Sequence, residues 1–172
     1  MINLVIVVSL LIGLSFLCSL LESVILSIRR PFIQTLIDGD KKSGRLLKKM
    51  KDNIDEPIAA ILTLNTISHT MGAAVSGAIA AELFGSKWMG VFSAVLTLLI
   101  LVLSEIIPKT LGARYWKSLS HLSAYILRVM IIILKPLILP MNYLSRLITN
   151  EDHGDRVSKA ELFNYIKIGY DQ

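Results

Sequence analysis

"WMGVFSAVLTLLILVLSEIIPKTLG", Trp88 to Gly112, joins an apolar run of nearly membrane-spanning length to a charged, proline-containing end. Trp88 to Ser104 carries no charge, and then a carboxylate, Glu105, a helix breaker, Pro108, and a cation, Lys109, follow within five residues. A helix crossing a bilayer needs about 20 mostly apolar residues, so this run suffices if its Glu105 end is sheltered inside protein. Two further segments behave alike. Met1 to Leu21 has no charge before Glu22, and Pro57 to Ala81 has none unless His69 is protonated. With 53% hydrophobic and 18% charged residues in 172, the chain is too apolar for an ordinary soluble domain. The reading is an all-α integral membrane protein with three transmembrane helices, at about 1–27, 57–84 and 88–108, plus cytoplasmic juxtamembrane amphipathic helices.

A cleaved signal peptide fits the N-terminus poorly, because Met1 to Leu10 lacks Lys and Arg and the apolar run exceeds a signal core. One cysteine, Cys18, rules out an internal disulfide. The net charge of +5 reports basic loops and contact with anionic membrane lipid rather than nucleic acid. Those basic residues set the orientation. Arg29, Arg30, Lys41, Lys42, Arg45, Lys48, Lys49 and Lys51 follow the first span, whereas "FGSKWMG" between the second and third holds only Lys87. The first connection and the C-terminal part are therefore expected in the cytoplasm, with the N-terminus outside, in a multi-pass cell-membrane protein.

Juxtamembrane helices are expected at about 29–52, turning at "DGD" (Asp38 to Asp40), and at about 115–148. In the latter, Arg128, Lys135, Pro136 and Pro140 interrupt an apolar run, which reads as kinked helix lying in the interface, with a fourth crossing as the alternative. Residues 1–148 thus form the transmembrane domain. Residues 149–172 read as a linker and the start of a cytosolic domain, whose helix opens with Ser158 and Glu161 at capping-box spacing.

Each crossing carries one polar stripe. Ser15, Ser19, Glu22 and Ser23 share a face of the first span, and Asn65, His69, Gly72 and Ser76 share one on the second. Ser104 and Glu105 sit on the third. These faces are expected to meet in the bundle interior. For Ser15, Ser76 and Thr97 the plainer reading is a hydroxyl bonded to its own backbone, and the Gly72–Ser76–Ala80 ladder reads as close helix packing. His69 is either a proton carrier or a bundle hydrogen bond. Glu22 is either a salt bridge to Arg29 or Arg30 or part of an ion pathway. Pro108 has no N–H, so the Ser104 carbonyl loses its helical donor and a bend is expected. A freed carbonyl beside Glu105, facing Asn65 and serine hydroxyls, is an all-oxygen cluster suited to a hard cation such as Mg²⁺ or Na⁺. Lys109 at i+4 is either a counter-charge to Glu105 or an anchor at the rim. No enzyme is expected: His69 has no evident nucleophile partner, and metalloprotease spacings are absent.

"SFLCSLLES" (Ser15 to Ser23), "LTLNTISHTMGAA" (Leu62 to Ala74) and "LVLSEIIPKTLGAR" (Leu101 to Arg114) resemble the three signatures of the transmembrane domain of cyclin M/CorC magnesium transporters. The resemblance covers Met1 to about Ile148, and the segment from Val157 resembles the lead-in to the family's cytosolic CBS-pair modules. It implies a homodimeric Mg²⁺ transporter or exporter, with exchange against Na⁺ proposed for the family. Carried over by motif position, the ion ligands are Ser19, Ser23, Asn65 and Glu105. Ser15, Glu22, His69, Gly72, Ser104, Pro108 and Lys109 are candidates for the ion pathway or for supporting the ligands. Two positions depart from the pattern: His69 stands where many members carry asparagine, and Ser104 where many carry glycine. Alternatives within this reading are a membrane anchor and ion sensor relaying to the CBS pair, or transport of another cation such as a polyamine.

Overall fold

The computed structural model describes residues 1–148, with side chains through residue 137. The linker, the Ser158–Glu161 capping box and the CBS lead-in lie outside the described residues.

Among the described residues six α-helices follow one another: α1 (Ile2–Ser27), α2 (Arg30–Asp38), α3 (Lys42–Asp52), α4 (Asp55–Phe84), α5 (Met89–Leu99) and α6 (Ile107–Ile148). A π-helical segment, Ile100–Ile106, joins α5 to α6, and a short 3₁₀ turn, Ser86–Trp88, joins α4 to α5. Among the described residues three continuous stretches are long and apolar enough to cross a membrane: Ile2–Ser27, Asp55–Phe84 and Ser86–Leu137. The all-α membrane architecture follows directly from the charge-free runs.

Local chemistry explains where the elements end. Pro31 sits in the first turn of α2, where a missing N–H costs nothing. Gly85, at φ +75°, closes α4 in a conformation that a side chain would oppose. Asp55 and Glu56 place negative charge at the N-terminus of α4, matching the helix dipole. Lys51 on α3 reaches back 3.3 Å to the Leu26 carbonyl at the C-terminal end of α1. Partial burial and the nearby Arg30 charge hold its ammonium below the usual lysine range.

Packing differs between the two ends of α1. Its C-terminal half joins Cys18, Leu21, Val24 and Ile25 to Ile33 of α2, Leu47 and Met50 of α3, Ala60 and Ile61 of α4, and Ala124, Leu127 and Met130 of α6. The short helices and the later part of α6 therefore gather at one end of the bundle, beside the basic connection. Nearer its N-terminus α1 packs on α4 through small residues, because lipid offers no hydrophobic drive and close approach must supply the attraction. A Cβ on Gly72 would collide with the Leu11 side chain. Ser76 and Ala80, on the same face, are fully buried.

The expected kink of the last helix is placed differently. The non-helical residue inside α6 is Tyr115 (φ −105°, ψ 19°), and the helix continues past Pro136 and Pro140. Tyr115 separates the apolar stretch from the segment carrying Ser120, Ser123, Ala124, Leu127 and Met130, whose shared face is buried. That face packs on α1, α2 and α3, so the break falls where the chain leaves the long bundle and turns along the basic end.

Candidate functional site

Two polar clusters form along α1. In the first, α1 and α4 run antiparallel, so Gly72 meets Leu11 while Asn65 and His69 meet Ser15. The Ser15 hydroxyl donates to Asn65 Oδ1 at 2.8 Å and lies 2.6 Å from His69 Nε2. One hydroxyl proton serves one acceptor, so both contacts are satisfied when His69 carries its proton on Nε2 and donates to Ser15 Oγ. Ser15 thus ties two side chains of a neighbouring helix instead of bonding its own backbone. Ser76 and Thr97 do bond their own helices, at the Ala73 and Ser93 carbonyls.

The second cluster lies two turns further along α1. Lys109 Nζ stands 3.4 Å from Glu22 Oε2 and 3.5 Å from Glu105 Oε2, one cation between two carboxylates from different helices. Ser23 Oγ donates to the Lys109 carbonyl at 2.6 Å. Gly112 makes this approach possible: a Cβ there would sit 2.8 Å from the Leu20 carbonyl oxygen and from Ser23 Cβ. Glu22, read as either a salt bridge to Arg29 or Arg30 or part of an ion pathway, pairs with Lys109. Arg30 is engaged with Asp52. The side chains are 23% (Glu22), 29% (Glu105) and 45% (Lys109) exposed, which is neither a dry core nor an open rim. The two readings of Lys109 therefore merge into one, because it neutralises both carboxylates while its backbone holds α6 against α1.

Ser19 lies between the clusters, one turn from each on the same face of α1. It is 1% exposed. Its Oγ is the buried side-chain polar atom without a hydrogen-bond partner among the described residues. Buried hydroxyls are almost always satisfied, and an orphan oxygen costs about 1–3 kcal/mol unless something occupies it. An oxygen so placed can accept a cation.

The backbone at Glu105 is altered more than a proline bend requires. Ile100–Ile106 is π-helical, with the Ile107 N–H bonded to the Val102 carbonyl. Continued in that register, the next pair would be Pro108 with the Leu103 carbonyl; in α register it would be Pro108 with that of Ser104. Proline donates to neither, so a carbonyl on this turn is left free beside Glu105. Ser104 is fully buried and donates to the Ile100 carbonyl at 2.7 Å, which spends its hydroxyl inside the same segment.

The predicted stripes on α1 and α4 thus meet through Ser15, Asn65 and His69, while Glu105 is joined to Glu22 of α1 through Lys109. Among the described residues no group of three or more His, Cys, Asp and Glu side chains gathers as a metal cluster, so any ion bound here would rely on hydroxyl, amide and main-chain oxygens as well. Sequence reasoning missed Gly112. The signal for it was a glycine one turn beyond Pro108.

Comparison with known proteins matches residues 6–172 to the model described as the cyclin M transmembrane N-terminal domain. The chain belongs to the cyclin M transmembrane family. Within that family it is 36% identical over 160 residues to a UPF0053 protein of Synechocystis, covering 91% of this chain and 45% of that protein. A UPF0053 protein of Haemophilus influenzae is 27% identical over 125 residues, covering 73% of this chain and 30% of that protein. The UPF0053 inner membrane protein YfjD of Escherichia coli is 23% identical over 127 residues, covering 74% and 30%. This cyclin M family chain therefore spans less than half the length of these relatives. Family membership and three apolar helices among the described residues make it a multi-pass membrane protein.

Proposed function

We propose that this chain is the membrane domain of a Mg²⁺ transporter or exporter, coupled to Na⁺, with a site open to the cytoplasm. The observation that carries the reading is the orphan oxygen of Ser19, buried between a hydroxyl–amide–imidazole cluster and a pair of carboxylates held by one lysine. Mg²⁺ takes oxygen ligands at about 2.1 Å in octahedral geometry and keeps several waters. Ser19, Asn65 Oδ1, Glu105 and, after release from the Lys109 carbonyl, Ser23 are oxygens of that kind. Glu22 and Lys109 set the charge: two carboxylates balance a divalent ion once the ammonium moves away. His69 orients Asn65 through Ser15.

The cytoplasmic direction rests on the basic connection that gathers at the end of α1, and the homodimer and CBS pair rest on the family resemblance. The CBS pair would occupy part of the length that the relatives have beyond this chain. The test is Mg²⁺ flux into proteoliposomes loaded with a Mg²⁺-sensitive dye, with and without a Na⁺ gradient. Flux that depends on the gradient supports the proposal. Mg²⁺ binding without flux would make the domain a membrane sensor instead.

A further inference from the structure

The basic end of the molecule contains a second feature, independent of the cation site. Between α3, the first turn of α4 and α6 lies a cavity of about 330 Å³, lined by Lys49, Met50, Glu56, Arg128, Ile131 and Lys135 among others. Arg128, Ile131 and Lys135 recur at i, i+3 and i+7, one face of α6. Met50 and Ile131 belong to the same packed core, and His121 of α6 is bonded to Ser43 of α3 at 2.9 Å, so the two helices hold this cavity open between fixed walls.

Its three cations are unspent. Arg30, Arg45 and Lys109 each have a carboxylate partner. Lys49, Arg128 and Lys135 have none among the described residues, although Glu56 lines the same cavity. Three cations facing one carboxylate leave a positive hollow that an anion would neutralise. Its surroundings select the kind of anion. Ile132 at its lip and Val129 and Ile133 beside it on α6 are 60%, 55% and 67% exposed, an apolar strip uncovered among the described residues, on a chain that enters a bilayer. A soluble anion gains nothing from that strip, whereas an acyl chain does.

We propose that this cavity binds the phosphate headgroup of an anionic phospholipid, with an acyl chain lying along Val129, Ile132 and Ile133. The lipid ties α3 to α6 at the point where the chain, past Tyr115, turns along the basic end.

The experiment is native mass spectrometry and thermal unfolding of the full chain, extracted in mild detergent and supplied with phosphatidylglycerol or phosphatidylcholine. Wild type should retain phosphatidylglycerol in preference to phosphatidylcholine and melt at a higher temperature with it. The substitution K49Q/R128Q/K135Q should weaken retention by at least about tenfold, given the contribution of each near-surface cation. K41Q/K42Q/K87Q, with the same change in net charge, should leave it unchanged. Glu56→Gln should strengthen it, a gain that a merely damaged fold cannot produce. Equal loss in both triple variants, no preference for phosphatidylglycerol, or equal stabilisation by inorganic phosphate alone would each overturn the proposal.

Discussion

Lys109 Nζ lies 3.4 Å from Glu22 Oε2, joining the start of α6 to the far half of α1 across 87 positions of sequence. The same ammonium lies 3.5 Å from Glu105 Oε2, so one cation holds apart two carboxylates that would otherwise repel. Removing it should therefore do more than break a salt bridge. Lys109→Met should cost roughly 1–2 kcal/mol without divalent ions, between the values for exposed and buried pairs. Added Mg²⁺ should recover most of that loss, and denaturant unfolding with and without Mg²⁺ measures both. Destabilisation that Mg²⁺ leaves untouched would mean that Lys109 is a structural anchor alone.

Ser19 separates a structural role from a binding one by sign. Its buried hydroxyl has no partner among the described residues, so Ser19→Ala removes an unsatisfied oxygen and should leave the ion-free protein as stable or up to about 1 kcal/mol more stable. The same substitution should weaken Mg²⁺ binding about tenfold. Unfolding and calorimetric titration of one variant read both effects. A clear loss of ion-free stability would show that the hydroxyl is satisfied in the folded protein.

Ser15 and Asn65 should be energetically coupled. Ser15→Ala leaves Asn65 Oδ1 and His69 Nε2 without their shared partner, at a cost of about 1–2 kcal/mol. In a double-mutant cycle with Asn65→Ala the combined loss should fall short of the sum by at least about 0.5 kcal/mol. Strict additivity would remove Ser15 from the cluster.

Two glycines on helices should respond in opposite ways to alanine. At Gly112 a methyl meets the Leu20 carbonyl and Ser23 at 2.8 Å, and backbone cannot step aside cheaply. Gly112→Ala should therefore lower thermal stability and weaken the Ser23 contact to Lys109. Gly13 has nothing within 4 Å, so Gly13→Ala should be neutral or stabilising by up to about 1 kcal/mol through helix propensity. Thermal scans of the two proteins side by side decide this.

The sequence made the architecture legible because a bilayer imposes one rule that composition obeys openly: a span is a long run without charge. Met1 to Leu21 and Trp88 to Ser104 announce themselves that way. Polar stripes were equally readable, since helical spacing alone puts Ser15, Ser19 and Glu22 on one face. Partner choice was not. Glu22 has Arg29 and Arg30 nearby in sequence, yet α2 turns away at Ile28, whose extended backbone (φ −66°, ψ 127°) ends the helix, and Lys109 is brought in by Gly112 packing. The break in α6 was equally hidden. Prolines at 136 and 140 were the obvious candidates, but Tyr115 carries the non-helical backbone, where the chain changes from lining the bundle to packing across its end. The π register before Pro108 depends on how Ser104 and its neighbours pack, and no local signal in "ILVLSEI" specifies it.

Under the proposed function, Glu105 and Asn65 belong to one Mg²⁺ site centred on Ser19. A Mg²⁺ titration followed by thermal unfolding, on wild type, Glu105→Gln and Asn65→Ala in parallel, puts this to the test. Ligand that binds the folded state alone adds about 2.7 kcal/mol at a hundred times its Kd, enough to be seen as a rise in melting temperature. Wild type should show that rise and both variants should stay flat while remaining folded. An undiminished rise in both would show that the ion, if it binds, binds elsewhere.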